Sequence, residues 1–409
     1  CEQEGRSALQ ARTILQLLAT ISNLSSVSTE GMLHHYQTDS CLINDLGELE
    51  QLWLDLQDRA ECSYFQSWGW MGRWLADFGA ALKPVVVRVW LDEQVVGLGV
   101  FLPRQIRRRN FFRASAMFLN EYPFDAKNMV IEYNGLLAAR GHEQSVYTET
   151  LRFLLEHYPV VDEFHFGAMA EQPDLLNLQQ AVAHPCGLLV EDVSTAWQVN
   201  LDKLKPGIQG FVDTLSKNRR NQLRRSLRRY EESGQVSLAE AQDREQALEF
   251  FAGLKELHTR RRQLRGEGGA FANSHWEQFH RQLILERFDA GEIQLLRVSN
   301  AHITIGYLYN LIWRKQVYVM QTGFCMSDDR RDQPGYVVHA LAIAHNRDRG
   351  MSVYDLMHGD SLYKQILCGE SRKLVWAVMQ RPLLKFRVEN GVVGLVRRVR
   401  GLMSQGTSE

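Results

Sequence analysis

Residues 328–350, DDRRDQPGYVVHALAIAHNRDRG, combine a run of charged side chains, a Pro-Gly pair and a segment with apolar residues at helical spacing. The spacing predicts a helix over 336–349 that begins directly after Pro334 and Gly335. The first backbone N–H groups of a helix lack intrahelical acceptors, and the helix dipole favours an anion beside them. The segment is therefore typical either of an ordinary helix start or of one left open to bind a phosphate group.

The sequence on both sides of this helix predicts strands. Residues 316–324, QVYVMQTGF, are rich in β-branched and aromatic side chains, and residues 352–360, SVYDLMHGD, form a second such run. A strand, a loop with arginines, a glycine and a helix start together suit a phosphate, because Gly335 lets the backbone approach a ligand closely. The unit 316–360 therefore fits a phosphate site, and it equally fits an ordinary helix start with solvated arginines.

The chain contains a weak internal repeat. Residues 88–99, RVWLDEQVVGLG, match residues 297–308, RVSNAHITIGYL, without a gap, and this match places Gly97 on Gly306. A repeat of about half the chain predicts two α/β (α+β) domains, each with a mixed, mostly antiparallel sheet flanked by helices. The predicted boundaries are an N-terminal extension at 1–31, a first domain at 32–203, a second domain at 204–388 and a basic tail at 389–409.

The two predicted domains differ at the helix start. When Gly167 is aligned with Gly359, residues 141–143 (Gly-His-Glu) fall where residues 333–335 (Gln-Pro-Gly) stand in the second domain. The acidic side chain of Glu143 near a helix start would repel a pyrophosphate. We therefore expect a degenerate first domain that shapes the acceptor side of the site.

Composition excludes several classes of protein. The chain has 409 residues, 45% of them apolar and 23% charged, and its formal net charge is −1. These values are typical of a soluble globular protein without a general attraction to DNA or anionic membranes. No apolar run approaches the ~20 residues that a membrane span needs.

Cysteine and histidine spacing argues against a metal site. The six cysteines are scattered without a C-x-x-C pair, which favours reduced thiols in the cytoplasm. The histidines of HWEQFH (275–280) are five residues apart, unlike the pair at i and i+4 in zinc peptidases. Residue 1 is cysteine and residues 1–31 lack a pattern, so we expect a start at Met32, with a lipid-anchored N-terminus as the alternative.

Residues 330–367 carry a resemblance to a known family. The Pro334-Gly335 helix start and the GDSLYK element at 359–364 resemble the C-terminal half of GNAT-type N-acyltransferases of the tandem CelD/BcsL-like branch, which is related to Fem-type transferases. The resemblance extends over roughly 46–384. The wider superfamily binds the pyrophosphate of acyl-CoA with a Q/R-x-x-G-x-G/A loop, whereas here Tyr-Val follows Gly335 and no second glycine is present.

The resemblance implies two tandem GNAT-like domains and direct attack of an acceptor amine on the thioester of acyl-CoA, with acetyl-CoA as the expected donor. Such an enzyme must deprotonate the amine, stabilise the oxyanion and protonate the thiolate. Tyr363 is the expected proton donor, and Asp360 and His358 are expected to bind or deprotonate the amine. The remaining candidates are, for the co-substrate, Arg330, Arg331, Gln333, Gly335, Tyr336, Gln321, Gly323 and Lys364, and, for the acceptor, Arg220, Arg224 and Trp70.

Two basic segments allow more than one interpretation. Residues 216–234, SKNRRNQLRRSLRRYEESG, place an apolar stripe among arginines. This pattern fits a docked helix with a solvated cationic face, or a surface for the phosphates of CoA or of a nucleotide- or tRNA-linked acceptor. Residues 391–405, GVVGLVRRVRGLMSQ, predict a basic amphipathic helix that either lies on an anionic membrane or packs on protein.

The sequence therefore predicts a cytoplasmic N-acyltransferase, with the tail as a possible contact to the inner membrane surface. Its second domain is expected to bind acyl-CoA, and its acceptor to be a small-molecule amine on a sugar or other cell-envelope or polysaccharide precursor, with no DNA and no metal. One alternative is a Fem-like transferase that takes its acyl group from aminoacyl-tRNA, which would show salt-dependent RNA binding. Another is a non-catalytic accessory protein of polysaccharide biosynthesis.

Overall fold

The computed structural model describes residues 35–42, 46–108, 112–120, 131–327, 329, 331–359 and 361–393. The tail from residue 394 onward and the extension at 1–34 lie outside these ranges, so the predictions for them stay predictions. The strands are β1 (Tyr36–Leu42), β2 (Val85–Leu91), β3 (Gln94–Arg108), β4 (Phe112–Leu119), β5 (Leu137–Ala138), β6 (Glu163–Ala170), β7 (Gly187–Asn200), β8 (Ser237–Glu240), β9 (Ile293–Ser299), β10 (Thr304–Trp313), β11 (Gln316–Phe324), β12 (Val353–His358) and β13 (Glu370–Gln380). The helices are α1 (Leu46–Arg59), α2 (Trp68–Leu82), α3 (Glu143–His157), α4 (Leu176–Ala181), α5 (Gly207–Thr214), α6 (Lys217–Glu231), α7 (Arg244–Gln263), α8 (Ser274–Arg287), α9 (Pro334–Asp348) and α10 (Leu362–Leu367).

The strands form one mixed sheet in the order β1-β2-β3-β4-β6-β13-β7-β12-β11-β10-β9-β8, and β5 pairs with β3. Two pairs are parallel, β4 with β6 and β11 with β12, and the other pairs are antiparallel. Parallel neighbours need a crossover, and α3 and α9 provide it in the two halves of the chain. The predicted mixed α/β architecture with a mostly antiparallel sheet is confirmed.

The internal repeat is visible in the register of the sheet. Val89 lies opposite Gly97 in the β2–β3 pair, and Val298 lies opposite Gly306 in the β9–β10 pair. A Cβ at Gly97 would stand 2.5 Å from a methyl group of Val146 in α3, and a Cβ at Gly306 would stand 3.0 Å from a methyl group of Val338 in α9. Both glycines therefore let the crossover helix pack closely on its sheet.

The two halves exchange their last strands. The sequence of the first half ends with β7, but β7 lies between β13 and β12 and pairs with β12 over Asn200–Ala196. The sequence of the second half ends with β13, which lies between β6 and β7. The predicted boundary at 203–204 thus follows a strand whose hydrogen bonds go to the other half.

The second half of the sheet is covered on both faces. Leu254 of α7 packs in the same core as Leu295 and Tyr309, whereas Val337 of α9 packs in a second core with Leu296. Adjacent residues of a strand point to opposite faces, so α7 and α9 lie on opposite sides of this part of the sheet.

Within the described ranges, no helix combines the length and the apolar character required to cross a membrane. The five cysteines that the structure describes are free thiols, and no group of three or more His, Cys, Asp or Glu side chains is placed to hold a metal ion there.

Candidate active site

The parallel strands β11 and β12 separate soon after they pair. They are in register only over Gln316–Tyr318 with Val353–Asp355, and beyond this point a cavity of about 450 Å³ lies between them. Val319 and Leu356 line it from the α9 side of the sheet, while Met357 belongs to the core on the α7 side. The cavity is therefore bounded by residues from both faces, and its volume suits a small molecule.

A carboxylate from the first half enters this cavity. One oxygen of Glu132 accepts a hydrogen bond from the backbone N–H of His358 (2.7 Å), and the other lies 2.5 Å from the ring Nδ1 of His358. Glu132 is 5% exposed, so its charge is held in place by this double contact. The hydrogen bond that the carboxylate of Glu132 accepts raises the pKa of His358. His358, a predicted candidate, thus has a buried acidic partner that sequence reasoning missed.

A second contact between the halves lies beneath this pair. The hydroxyl of Tyr133 donates to Asp355 (2.5 Å), and the other carboxylate oxygen of Asp355 accepts from the backbone N–H of Met357 (2.6 Å). Burial raises the pKa of Asp355 to about 6. Met357 has a φ of 64° and Gly359 a φ of 126°, so β12 ends in a kinked backbone that turns His358 toward Glu132.

Tyr363, the candidate proton donor, lines the cavity. Its ring is stacked on His339 with centroids 5.7 Å apart and an interplanar angle of 18°. Desolvation raises the pKa of Tyr363, so the phenol keeps its proton at neutral pH. Burial lowers the pKa of His339 to about 3, and its Nδ1 lies 3.0 Å from the hydroxyl of Tyr354. The tyrosine therefore rests on a neutral, buried imidazole.

Lys364, a candidate for binding the co-substrate, contacts the backbone of β12. Its Nζ donates to the carbonyl oxygens of His358 (2.6 Å) and Met357 (3.2 Å). These contacts tie α10 to the kinked end of β12. Although Lys364 lines the cavity, its ammonium group is engaged by the backbone rather than directed at a phosphate.

The start of α9 has the predicted geometry but a balanced charge. Gln333 adopts a left-handed conformation (φ 40°) directly before Pro334, the first helical residue. A Cβ at Gly335 would stand 3.0 Å from the ring of Phe324, so the glycine also serves packing. Arg331 is bonded to Asp329, which holds the pKa of that carboxyl well below its usual range.

Further contacts at this helix start come from α6. Arg229 donates to Asp329 (2.8 Å) and Asp332 (2.5 Å), and the hydroxyl of Tyr336 donates to the carbonyl of Arg219 (3.4 Å). Burial raises the pKa of Tyr336 to about 12. The predicted residues Arg330 and Asp360 lie outside the described residues.

Of the remaining candidates, some line the cavity and others do not. Gln321 lines the cavity, whereas Gly323 serves packing, because a Cβ there would stand 2.5 Å from the carbonyl oxygen of Leu254 in α7. Arg220 lies 3.9 Å from Asp213. It belongs to the outer part of α6 and does not line the cavity.

Two predicted acceptor residues also lie elsewhere. Arg224 donates to Gln209 (3.4 Å) on the surface. Trp70 is 3% exposed and packs edge-on against Phe65 (4.8 Å) and Phe279 (5.0 Å), so it is a core residue rather than a ligand contact. Its aromatic neighbours explain the tryptophan-rich stretch as packing.

The matching gap in the first half is filled by the chain itself. Strands β4 and β6 are in register over Ala116–Phe118 with Glu163–His165 and then separate. Asn134 bridges the two strands beyond this point, because its backbone N–H donates to Ala168 (3.2 Å) and its side chain donates to Leu119 (2.9 Å). The segment that fills this gap also supplies Glu132 and Tyr133 to the second half.

One segment of the chain is similar to a known family. Residues 217–365 match the family model described as an acetyltransferase (GNAT) domain. A search of curated proteins found no match. The matched segment includes α7, β11, α9 and β12, which lie around the cavity.

Solved structures with a similar fold include FemX and a lysylphosphatidylglycerol synthetase domain. FemX has a TM-score of 0.54 and 11% identity, over 83% of this chain and 96% of that one. The C-terminal domain (DUF2156) of a putative lysylphosphatidylglycerol synthetase from Agrobacterium fabrum has a TM-score of 0.51 and 10% identity, over 87% and 96%. At these identities the likeness concerns the fold.

Proposed function

We propose that the protein is an N-acyltransferase that moves an acyl group from acyl-CoA to an amine in the cavity between β11 and β12. The observation that carries the proposal is that this gap holds an open cavity with Tyr363 and His358 on its wall. Apart from Glu132, the residues that line the cavity lie within the segment that matches the GNAT domain. The equivalent gap between β4 and β6 is bridged by Asn134, so we assign the donor to the second half.

The donor would lie across the gap. Beyond Tyr318 and Asp355 the two strands no longer pair with each other, which leaves room for an extended amide chain such as pantetheine. Such a chain would lie along β11, because in β12 the N–H groups of Met357 and His358 donate to carboxylates and their carbonyl oxygens accept from Lys364. The N-terminus of α9 provides a favourable dipole for pyrophosphate and the backbone N–H of Gly335, because Pro334 has no N–H and those of Tyr336 and Val337 donate to the carbonyl oxygen of Gln333. The bound Asp329 and Asp332 reduce the local positive charge, so helix geometry rather than arginine charge is the main attraction there.

Two side chains fit the proton transfers. His358, whose basicity is increased by Glu132, would take a proton from the acceptor ammonium group. The amine nitrogen then forms a bond with the thioester carbonyl carbon, and the tetrahedral adduct collapses as the carbon–sulfur bond breaks. Tyr363, which is protonated at neutral pH, would give its proton to the leaving thiolate. The second proton of the attacking nitrogen would return to the Tyr363 phenolate, and His358 would release the first to solvent, so the products are an amide, a thiol and one proton.

The proposed acyl chain and acceptor come from the sequence resemblance. Acetyl-CoA as donor and an amino group of a cell-envelope or polysaccharide precursor as acceptor follow from the resemblance of residues 330–367 to the CelD/BcsL-like branch. We extend this assignment to a cytoplasmic location, where acyl-CoA is available.

Isothermal titration of acetyl-CoA and longer acyl-CoAs tests the proposal. We compare the wild type with Gly335→Glu and with Gly335→Gln, which has the same size without the charge. The glutamate should abolish binding by repelling the pyrophosphate, and the glutamine should retain most of it, since both meet the ring of Phe324 equally. If the wild type binds no acyl-CoA, the proposed function is wrong.

A second candidate function is transfer of an aminoacyl group from tRNA. The observation that favours it is the exposed arginine face of α6, where Arg225 and Arg228 have no carboxylate partner among the described residues. This candidate predicts RNA binding whose affinity falls steeply with salt and decreases when both arginines are replaced by glutamine. The same variant should bind acyl-CoA normally under the first proposal.

A further inference from the structure

Three arginines converge on the cavity from the end of α7. Arg261, Arg262 and Arg265 line it together with the Glu132–His358 pair. Arg262 is bonded to Glu267 (2.5 Å), whereas Arg261 and Arg265 make no ion pair in the part of the chain that the structure describes. Two positive charges at the cavity wall are therefore left without a negative partner.

Arg261 packs against Phe324 in the wall of the cavity. Its guanidinium lies over the ring of Phe324, 5.7 Å from the centroid, and it is only partly exposed. Burial and the neighbouring Arg265 lower the pKa of Arg261, which means that its charged form is less favoured in this structure than in water. Because arginine remains charged at physiological pH, a bound anion would relieve this cost.

The arginines reach the cavity from another element than the proposed pyrophosphate site. They lie at and just after the C-terminal end of α7, which packs on the sheet face opposite α9. The helix start that suits pyrophosphate belongs to α9 and contacts α6. The ring of Phe324 is near both, since it carries the guanidinium of Arg261 and faces Gly335, so Arg261 borders the pyrophosphate site as well as the space for an acceptor.

A buried histidine adds a second feature to the same wall. His258 is 7% exposed, and its Nδ1 lies 3.1 Å from the carbonyl oxygen of Thr322, which can only accept, so Nδ1 carries the proton. Nε2 is then an acceptor, and it has no hydrogen-bond partner among the described residues. Buried polar atoms are usually paired, so an unpaired acceptor in a cavity wall points to a ligand that donates a hydrogen bond.

We propose that the acceptor is an amine that also carries an acidic group, a carboxylate or a phosphate, and that Arg261 and Arg265 bind this group. His258 accepts a hydrogen bond from an N–H or O–H group of the same molecule. The inference rests on the proposed function, because it assigns the cavity to the acceptor of acyl transfer. Amines without an acidic group, including polyamines, are then not the preferred substrates.

Thermal unfolding of the full chain with matched probes tests the inference. The probes are phosphoethanolamine, glycine and ethanolamine, each added with and without acetyl-CoA, and apparent affinities follow from the shift in Tm with concentration. The variants are Arg261→Gln and Arg265→Gln, and the control is Arg260→Gln. Arg260 is exposed near the same helix end and does not line the cavity. Its replacement therefore removes the same charge from the same helix end as the two cavity variants do.

At least one acidic probe should stabilise the wild type where ethanolamine does not, and the effective one identifies the acid as phosphate or carboxylate. Either cavity variant should weaken this binding about tenfold or more, while the control stays within about twofold. Equal stabilisation by ethanolamine, no stabilisation by either acidic probe, or equal loss in Arg260→Gln would overturn the inference. Competition between the acidic probe and acetyl-CoA would assign the arginines to the phosphates of CoA and overturn it as well.

The same experiment separates the two proposals. If an acidic amine binds through Arg261 but no acyl-CoA binds in the titration, the acidic ligand is supported and the acyl-CoA function is wrong. If acyl-CoA binds and the arginine variants have no effect on either acidic probe, the acyl-CoA function stands and the acidic acceptor is wrong.

Discussion

The carboxylate of Glu132 contacts both the backbone N–H and the ring of His358, although the two residues are 226 positions apart. One belongs to the half whose own strand gap is closed, and the other to the half with the open cavity. The first half therefore supplies a wall residue to the cavity of the second half, while its own gap is bridged by Asn134.

Replacing Glu132 should alter the pH dependence of catalysis. Glu132 raises the pKa of His358, and a base must be deprotonated to act. Glu132→Gln removes this effect, so the acidic limb of the kcat/KM profile should move to lower pH, and the rate at its plateau should fall about tenfold or more. Steady-state rates across pH, with His358→Ala and the double variant, check this.

The double variant decides whether the pair acts as a unit. If Glu132 works through His358, adding Glu132→Gln to His358→Ala should cost little further activity. Additive losses, or an unchanged pH profile in Glu132→Gln, would contradict a role of this pair in proton transfer.

Replacing Tyr363 should affect the leaving group. Tyr363→Phe keeps the ring stacked on His339 but removes the proton donor, so kcat with acetyl-CoA should fall about 100-fold with little change in KM. With an acetyl aryl thioester, whose thiolate needs no proton, the loss should be much smaller. Equal losses with both donors would indicate a positioning role instead.

The buried Asp355 should make stability depend on pH. Its folded pKa of about 6 is raised above the ordinary value of 3.8, so the folded state binds the proton more tightly and stability falls as pH rises through this range. The contribution amounts to about 2–3 kcal/mol between roughly pH 4 and pH 7. Urea unfolding should show a smaller loss over this range in Asp355→Asn than in the wild type.

The quantity to compare between the two proteins is the slope of the free energy of unfolding against pH. The Asp355→Asn variant would lose one of the two accepted hydrogen bonds, from Tyr133 or from Met357, and this lowers stability at every pH. The prediction concerns only the change with pH. Parallel curves for the two proteins would show that Asp355 does not bind a proton in this range.

A methyl group at Gly323 should destabilise the protein. The new Cβ would stand 2.5 Å from the carbonyl oxygen of Leu254, so strand β11 and helix α7 would have to separate. Gly323→Ala should lower the free energy of unfolding by about 1–3 kcal/mol. Gly369→Ala is the control, because nothing lies within 4 Å of a Cβ there, and it should stay within about 0.5 kcal/mol of the wild type.

Local patterns in the sequence predicted the local structure well. The β-rich run at 316–324 coincides with β11, and the Pro334 helix start is the first residue of α9. The repeat placed Gly97 on Gly306, and both occupy the same register beneath their crossover helices. These features depend on neighbours within one element or one hairpin, which is why periodicity and spacing could find them.

Contacts between distant segments could not be found in this way. Glu132 and Tyr133 lie in a stretch without a motif, and they reach the cavity only because their segment fills the gap between β4 and β6. Conversely, Lys364 and Trp70 belong to recognisable patterns, yet tertiary packing gives them structural contacts. The arginines of α7 look like an ordinary basic helix end until the fold brings them to the cavity.

The exchange of β7 and β13 has a consequence for any attempt to divide the chain. Each half completes its hydrogen-bonded ladder with a strand encoded in the other. Produced separately, each half would expose an unpaired backbone edge, so we expect neither half to be a self-sufficient module that could be excised or fused elsewhere.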